Sequence, residues 1–401
     1  MIARLMAITK TTATNMHGLN PTPGKKPGLQ SWQLLRSMFL FYLLSAALSF
    51  GQESAGALRL IHADSLRSFV ANGESIIEAI GNVEIEQDST TLTCDLVRMI
   101  EARSRYVFLG NVHIREGSKW LRADSVVHYD DRKIQVAVGR VVLGDAANQL
   151  TARKVTYFQN QDRALAEEEV VMINSDRRLT LTCGKAEYLS EEEYAKATIA
   201  PVLIEYDSLQ QETLRITGEV IELIAGGREA KVTGNVEITR EQTRAHCEET
   251  HYYHAEERLD LLTNPVVWQG RDELRGETIE LFLKEQKLVR AYVAGKAVMT
   301  SPVDTSAVDT SQTSRRLNSL SGGKMTLSFH DEQLEQVLVE ETATSVYYVI
   351  EDGEDKGTNR VQGDRIMLHL ANKELERIVI ESDPGVSNGK FLPPGHPVES
   401  P

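Results

Sequence analysis

The sequence predicts an all-β chain built from a tandem repeat, and three observations predict it. The phrase Gly81-Asn82-Val83-Glu84-Ile85 returns as Gly110-Asn111-Val112-His113-Ile114 and Gly139-Arg140-Val141-Val142-Leu143, at a step of 29 residues each time. A second phrase, Leu92-Thr93-Cys94-Asp95, returns as Leu121-Arg122-Ala123-Asp124 and Leu150-Thr151-Ala152-Arg153, always 11 residues after the glycine position. The first phrase alternates apolar and polar residues with the period of a strand. Two phrases alternating at a fixed step mark an array whose units cannot bury their apolar faces alone.

In the first phrase Val83 and Ile85, or Val112 and Ile114, alternate with Glu84, Glu86, His113 and Arg115, which leaves one dry face. The Gly-Asn pair reaches positive φ readily and suits a bulge or bend. The residues ahead of it, such as Tyr106-Val107-Phe108-Leu109, are strand formers, so the reading is one strand kinked at the glycine. The second phrase is apolar or small at positions one, three, six and eight, as in Leu150, Ala152, Val155 and Tyr157. The odd step from three to six puts the two pairs on opposite faces of a regular strand unless a bulge or corner intervenes. Polar turns such as Tyr129-Asp130-Asp131-Arg132-Lys133 close each unit.

The array opens near Ile61-His62-Ala63-Asp64-Ser65 and its phrases drift after Leu150, through Val170-Val171-Met172, Leu181-Thr182-Cys183 and Val202-Leu203-Ile204. Gly234-Asn235-Val236-Glu237-Ile238 restores the first phrase in full, and Gly295-Lys296-Ala297-Val298-Met299 follows. Repeats are thus expected over 52–300. Residues 301–319, rich in Ser, Thr and Asp, read as a loop or linker, 320–382 as further β repeats, and 383–401 as a disordered tail.

Ahead of the array, Met38-Phe39-Leu40-Phe41-Tyr42-Leu43-Leu44 and the small residues after it follow Lys25, Lys26 and Arg36. This is a secretory signal over 1–51 with an unusually long basic region, cleaved near Ser49 or Gly51 or else retained as an anchor. A formal net charge of −14 argues against nucleic acid as a partner. Three cysteines make no disulfide framework, and Cys94 and Cys183 sit at the small third position of the second phrase, as buried small residues would.

Only His246, Cys247, Glu248, Glu249, His251 and His254 bring metal-ligating types together. On a regular strand His246 and His254 face one way and Cys247 and His251 the other, so the cluster reads as a polar strand face and no metal or cofactor is expected. Phosphate loops, nucleophile elbows and His-Glu-x-x-His are lacking. The acids Asp64, Asp95, Asp124 and Asp364 recur at equivalent repeat positions, which suits a surface ladder or turn, so no enzyme is expected. Repetition favours a function extended along the array.

Alternating Gly-Asn-Val-x-Ile and Leu-x-Ala-Asp-x-Val phrases at a step near thirty resemble the OstA-like family, which includes LptA and the N-terminal domain of LptD. The phrases that carry the resemblance are Gly81 to Ile85, Gly110 to Ile114, Leu121 to Val126 and Gly234 to Ile238. The resemblance implies an elongated β-jellyroll of stacked antiparallel strands, open along one side, in the periplasm. Its apolar interior would hold the acyl chains of lipopolysaccharide, with LptC-type inner-membrane and LptD-type outer-membrane partners and end-to-end self-association. The implied lining is Val83, Ile85, Leu92, Val112, Ile114, Leu121, Val141, Leu143, Leu150, Val236 and Ile238. The array is longer than the short stand-alone LptA pattern, which leaves one long jellyroll or two fused segments. Nothing after Ile380 is long enough for the outer-membrane barrel of LptD. Competing readings are a parallel β-helix acting on polysaccharide, an adhesin, a retained LptC-like adaptor, and a protein-binding scaffold with a filled core.

Overall fold

The computed structural model describes residues 59–394 except 190, 226–227, 242, 254, 285–286, 304–315, 332, 352–353, 372–373 and 384. The expected signal or anchor over 1–51, His254 and most of 301–319 lie outside the described residues. The chain divides into two compact units, one ending at Val232 and one running on from Thr233.

The first unit contains β1 (Arg59–His62), β2 (Ser65–Ala71), β3 (Glu74–Gln87), β4 (Thr90–Ile100), β5 (Arg105–Glu116), β6 (Lys119–Tyr129) and β7 (Ile134–Gly144). It continues with β8 (Asn148–Phe158), β9 (Arg163–Asn174), β10 (Leu179–Leu189), β11 (Tyr194–Thr198), β12 (Val202–Tyr206), β13 (Glu212–Thr217) and β14 (Val220–Ile224). From β3 to β10 each strand pairs antiparallel with the next in sequence. Two short strands share one long partner where the chain is interrupted, β1 and β2 along β3, and β11 and β12 along β10.

Each expected kink is a bulge in one continuous strand. Along β3 and β4 the register runs from Ile80↔Leu96 to Val83↔Cys94, passing over Gly81 and Asn82. Gly81 and Asn82 (φ 80° and 45°), Gly110 and Asn111 (74° and 46°), and Gly139 and Arg140 (75° and 42°) are left-handed. Two successive left-handed residues bend the strand and reset its alternation. The odd step of the second phrase is resolved by the same bend, because Leu92, Cys94, Val97 and Met99 are all buried. Side chains on one face of a sheet are buried only when something covers that face. Among the described residues of this unit there is no second layer, so the two arms of the bent sheet cover each other. This is the β-jellyroll architecture: closed along the bend, with two margins of turns that share no ladder pairing among the described residues.

The recurring acids belong to this bend. A Cβ on Gly110 would come within 2.8 Å of Asp95 Cγ, and Asn111 Nδ2 donates to Asp95 Oδ2 at 2.9 Å. Asp64 lies over Gly81 and Asp124 over Gly139 in the same way, with Arg140 Nε donating to Asp124 Oδ1 at 2.9 Å. The sequence hides further corners. Glu168 and Glu169 (φ 63° and 53°) stand at the next 29-residue step after Gly139, and Ile199 with Ala200 (64° and 52°) makes another.

β15 (Glu229–Arg240) crosses the division between the units. The second unit adds β16 (Thr243–Tyr253), β17 (Arg258–Leu262), β18 (Val266–Gln269), β19 (Asp272–Arg275), β20 (Thr278–Lys284) and β21 (Lys287–Pro302). It ends with β22 (Leu317–His330), β23 (Gln333–Glu351), β24 (Glu354–Ala371), β25 (Glu374–Glu381) and β26 (Asn388–Leu392). β21 and β22 pair directly across the 301–319 segment, through Ser301↔Asn318 and Pro302↔Leu317. The tail expected to be disordered from 383 is in part a strand, since β26 pairs with β24 from Gln362↔Asn388 to Thr358↔Leu392.

One buried carboxylate gives the first unit an acid-sensitive contact. Glu78 is fully buried on β3 and accepts from Arg98 Nε and Arg67 Nε, both at 2.6 Å. Burial pushes its pKa up, but the bonds and charges of Arg98 and Arg67 outweigh this and hold it below 4.5. A depressed folded pKa gives stability that is complete above the unfolded value and is lost as pH falls through the folded one. Unfolding midpoints followed below pH 4.5 are therefore expected to drop more steeply in the native chain than in Glu78→Gln.

Candidate functional site

The interior of the first unit is built in rows, because antiparallel register places equivalent residues of successive strands side by side. On the arm after the bend one row runs Leu60, Ile85, Leu92, Ile114, Leu121, Leu143, Leu150, Met172, Leu181, Leu203 and Ile216, each paired with the next. It is aliphatic or thioether throughout. Nearer the bend the row alternates large and small, as in Val83↔Cys94, Val112↔Ala123 and Val141↔Ala152. The other arm adds Ala79, Val97, Phe108, Val126, Ala137, Val155, Ala166, Ala186 and Ala197.

All eleven residues singled out in the sequence are buried, with Val83, Val112, Leu121, Val141 and Val236 at 1% exposure or less. Nine of them fall in the first unit's two rows, and Val236 and Ile238 lie on β15 beyond the division. The row that sequence reasoning missed is the alanine-rich one. Ala137, Ala166, Ala186 and Ala197 are buried, and an isolated alanine in a strand carries no signal to mark it. His113, expected to face outward, is half-buried beside Arg122 and Arg115, and burial and those charges lower its pKa.

Among its described members the histidine and cysteine cluster is split between the faces of β16. Cys247 and Thr250 are both buried, so the bend between them reverses the alternation and His251 does not share the face of Cys247 as a regular strand would require. His251 Nε2 instead lies 2.6 Å from Glu249 Oε1. No group of three metal-ligating residues stands together among the described residues. Cys94, Cys183 and Cys247 are free and buried, and burial pushes their thiols up to about 12, about 11 and about 11. They are interior packing groups with little thiolate character.

A bent stack of antiparallel hairpins with an apolar interior defines a repeat protein of the β-jellyroll class. Residues 95–287 match the family described as LptA/(LptD N-terminal domain) LPS transport protein. The match supports a periplasmic location and a role related to lipopolysaccharide transport. Among solved structures the chain is similar to the crystal structure of LptH, the LptA homologous periplasmic component of the conserved lipopolysaccharide transport device from Pseudomonas aeruginosa. Identity is 16%, over 36% of this chain and 94% of that one, with a TM-score of 0.26. No curated protein matches the chain.

Proposed function

We propose that the protein carries lipopolysaccharide across the periplasm with its acyl chains held in the apolar interior. The observation that supports this most is the aliphatic row from Leu60 to Ile216, which offers one continuous apolar wall across ten successive strand pairings. Burial of methylene groups supplies about 0.8 kcal/mol each, so no catalytic group is required. The lining comprises Val83, Ile85, Leu92, Val112, Ile114, Leu121, Val141, Leu143 and Leu150, with Val236 and Ile238 on β15. An N-terminal signal over 1–51 delivers the chain to the periplasm.

Edge strands supply the docking surfaces in this reading. Among the described residues β1 and β2 pair only with β3, and Leu66, Phe69 and Val70 on β2 are exposed. β25 and β26 pair only with β24, and Ile378, Ile380 and Phe391 on them are exposed. Unpaired edges with exposed apolar residues take up further strands, which suits LptC-type and LptD-type partners and copies of this chain.

The test is a photo-crosslinking residue at Ile114 and, separately, at His113, in cells that make lipopolysaccharide. Lipid adducts at Ile114 with few at His113 are expected, because the two side chains leave opposite faces of β5. Equal labelling, or adducts to protein alone, would remove the conduit and leave a scaffold with a filled core.

A further inference from the structure

One interior row of the first unit is polar where the fold does not require it. On the arm before the bend, the last inward position ahead of each turn forms the paired series Met99↔Tyr106, Tyr106↔His128, His128↔Gln135 and Gln135↔Tyr157. Tyr188 occupies the same position on β10, paired with Ala164. Tyr106, His128, Gln135, Tyr157 and Tyr188 are all buried. Their near neighbours are groups of the margin: Tyr157 Oη donates to Asp162 Oδ1 at 2.6 Å, and His128 Nε2 lies 3.6 Å from Asp130 Oδ1.

The second unit supplies the control. There the row in the same register opens on Tyr252 and then reads Leu259, Leu281, Ala291, Leu327, Val337 and Leu368, paired in turn. The same bent hairpins thus accept aliphatic side chains at this position. Hydroxyls, an imidazole and an amide therefore stand at the first unit's rim in positions where the architecture also accepts aliphatic groups. The opposite margin of the first unit is polar as well, where Gln87 pairs with Thr90 and Asn174 Nδ2 donates to buried Asn148 Oδ1 at 3.0 Å. Outside the row, the guanidinium carbons of Arg105 and Arg132 lie 5.3 and 5.8 Å from the Tyr129 ring centroid, on the same margin.

We infer that the Tyr106, His128, Gln135, Tyr157 and Tyr188 row is a hydrogen-bonding subsite at the mouth of the interior. It receives the ester, amide and hydroxyl groups at the head end of an acylated glycolipid. The chains then run inward past Phe108 and Val126 toward the bend, so the row sets which way round the lipid lies. This rests on the lipid-carrying reading above. Polar groups that meet polar linkages keep their bonds when the interior fills, whereas a reversed lipid would bury them against methylenes.

Tyr106 and Phe108 give a matched pair of probes, since both are aromatic, buried and two residues apart on β5. p-Benzoylphenylalanine is placed at each in turn in the full chain, crosslinked to lipopolysaccharide, and the attachment point on the lipid is mapped by mass spectrometry. Attachment near the acyl linkages from Tyr106 and nearer the chain ends from Phe108 is expected. The reverse order, or the same distribution from both, would overturn the subsite while leaving lipid carriage standing. Absence of lipid adducts from both positions, in a folded chain that also gives none at Ile114, would overturn both. As a second readout, Tyr106→Phe with Tyr157→Phe is expected to weaken binding of lipopolysaccharide by roughly five- to tenfold. Binding of a plain hydrocarbon probe should not change, and an equal loss for both probes would make the row merely structural.

Discussion

Gly110→Val is expected to be among the most damaging single substitutions in the first unit. Gly110 sits at φ 74°, where a β-branched residue is strained, and its new Cβ would run into the Asp95 carboxylate of the neighbouring strand. To make room the Asp95 side chain must rotate and give up the bond from Asn111 Nδ2. Strain and the lost contact together come to about 2–4 kcal/mol, read as a shift of the denaturation midpoint at unchanged slope. Two comparisons isolate the cause. Gly117→Ala, at φ 56° with open space around it, carries backbone strain without the carboxylate and should cost less than half as much. In Gly110→Ala, adding Asp95→Ala should recover part of the loss, and a cycle with no coupling would mean that the acid over the glycine is incidental.

The same corners explain what the sequence made legible. Gly81, Gly110 and Gly139 were visible because one residue bore both requirements, positive φ and space for the acid above it. At Glu168 and Glu169 the geometry persists without glycine, and Arg153 Nη2 replaces the acid, bonding Glu169 Oε1 at 2.8 Å. At Ile199 the roles are exchanged between strands, because Gly184 supplies the space and a Cβ there would meet Ile199 Cβ at 2.8 Å. No local phrase records an exchange of that kind, so the repeat looks as though it drifts from Leu150 onward, although its step holds at 29 residues to Glu168 and lengthens only to 31 at Ile199. The apolar rows were legible from alternation alone. The polar rim was not, since Tyr106, His128, Gln135 and Tyr157 lie on four different strands and become one feature only through register. The strand β26 was missed because Gly389 and Lys390 gave it no apolar alternation, and its support is its pairing to β24.

Leu121→Ala discriminates a filled core from a lipid-carrying interior. Leu121 is 1% exposed and stands between Ile114 and Leu143 in the aliphatic row. Truncation in the closed molecule removes packed methyl groups and leaves a void, at a cost of about 2–5 kcal/mol. In a scaffold that cost is fixed. In a conduit the arms part to admit an acyl chain, which then occupies the space beside residue 121, so the bound state loses much less than the empty one. Because a ligand that binds only the folded state stabilises it by mass action, saturating lipopolysaccharide should raise the midpoint of both proteins. The rise should be greater for Leu121→Ala, and the gap between the two proteins should narrow. The measurement is a pair of denaturation curves for each protein, with and without lipid. A gap that stays constant would place Leu121 in a permanent core that no acyl chain enters, and the apolar row would then hold the fold together without serving as its cargo site.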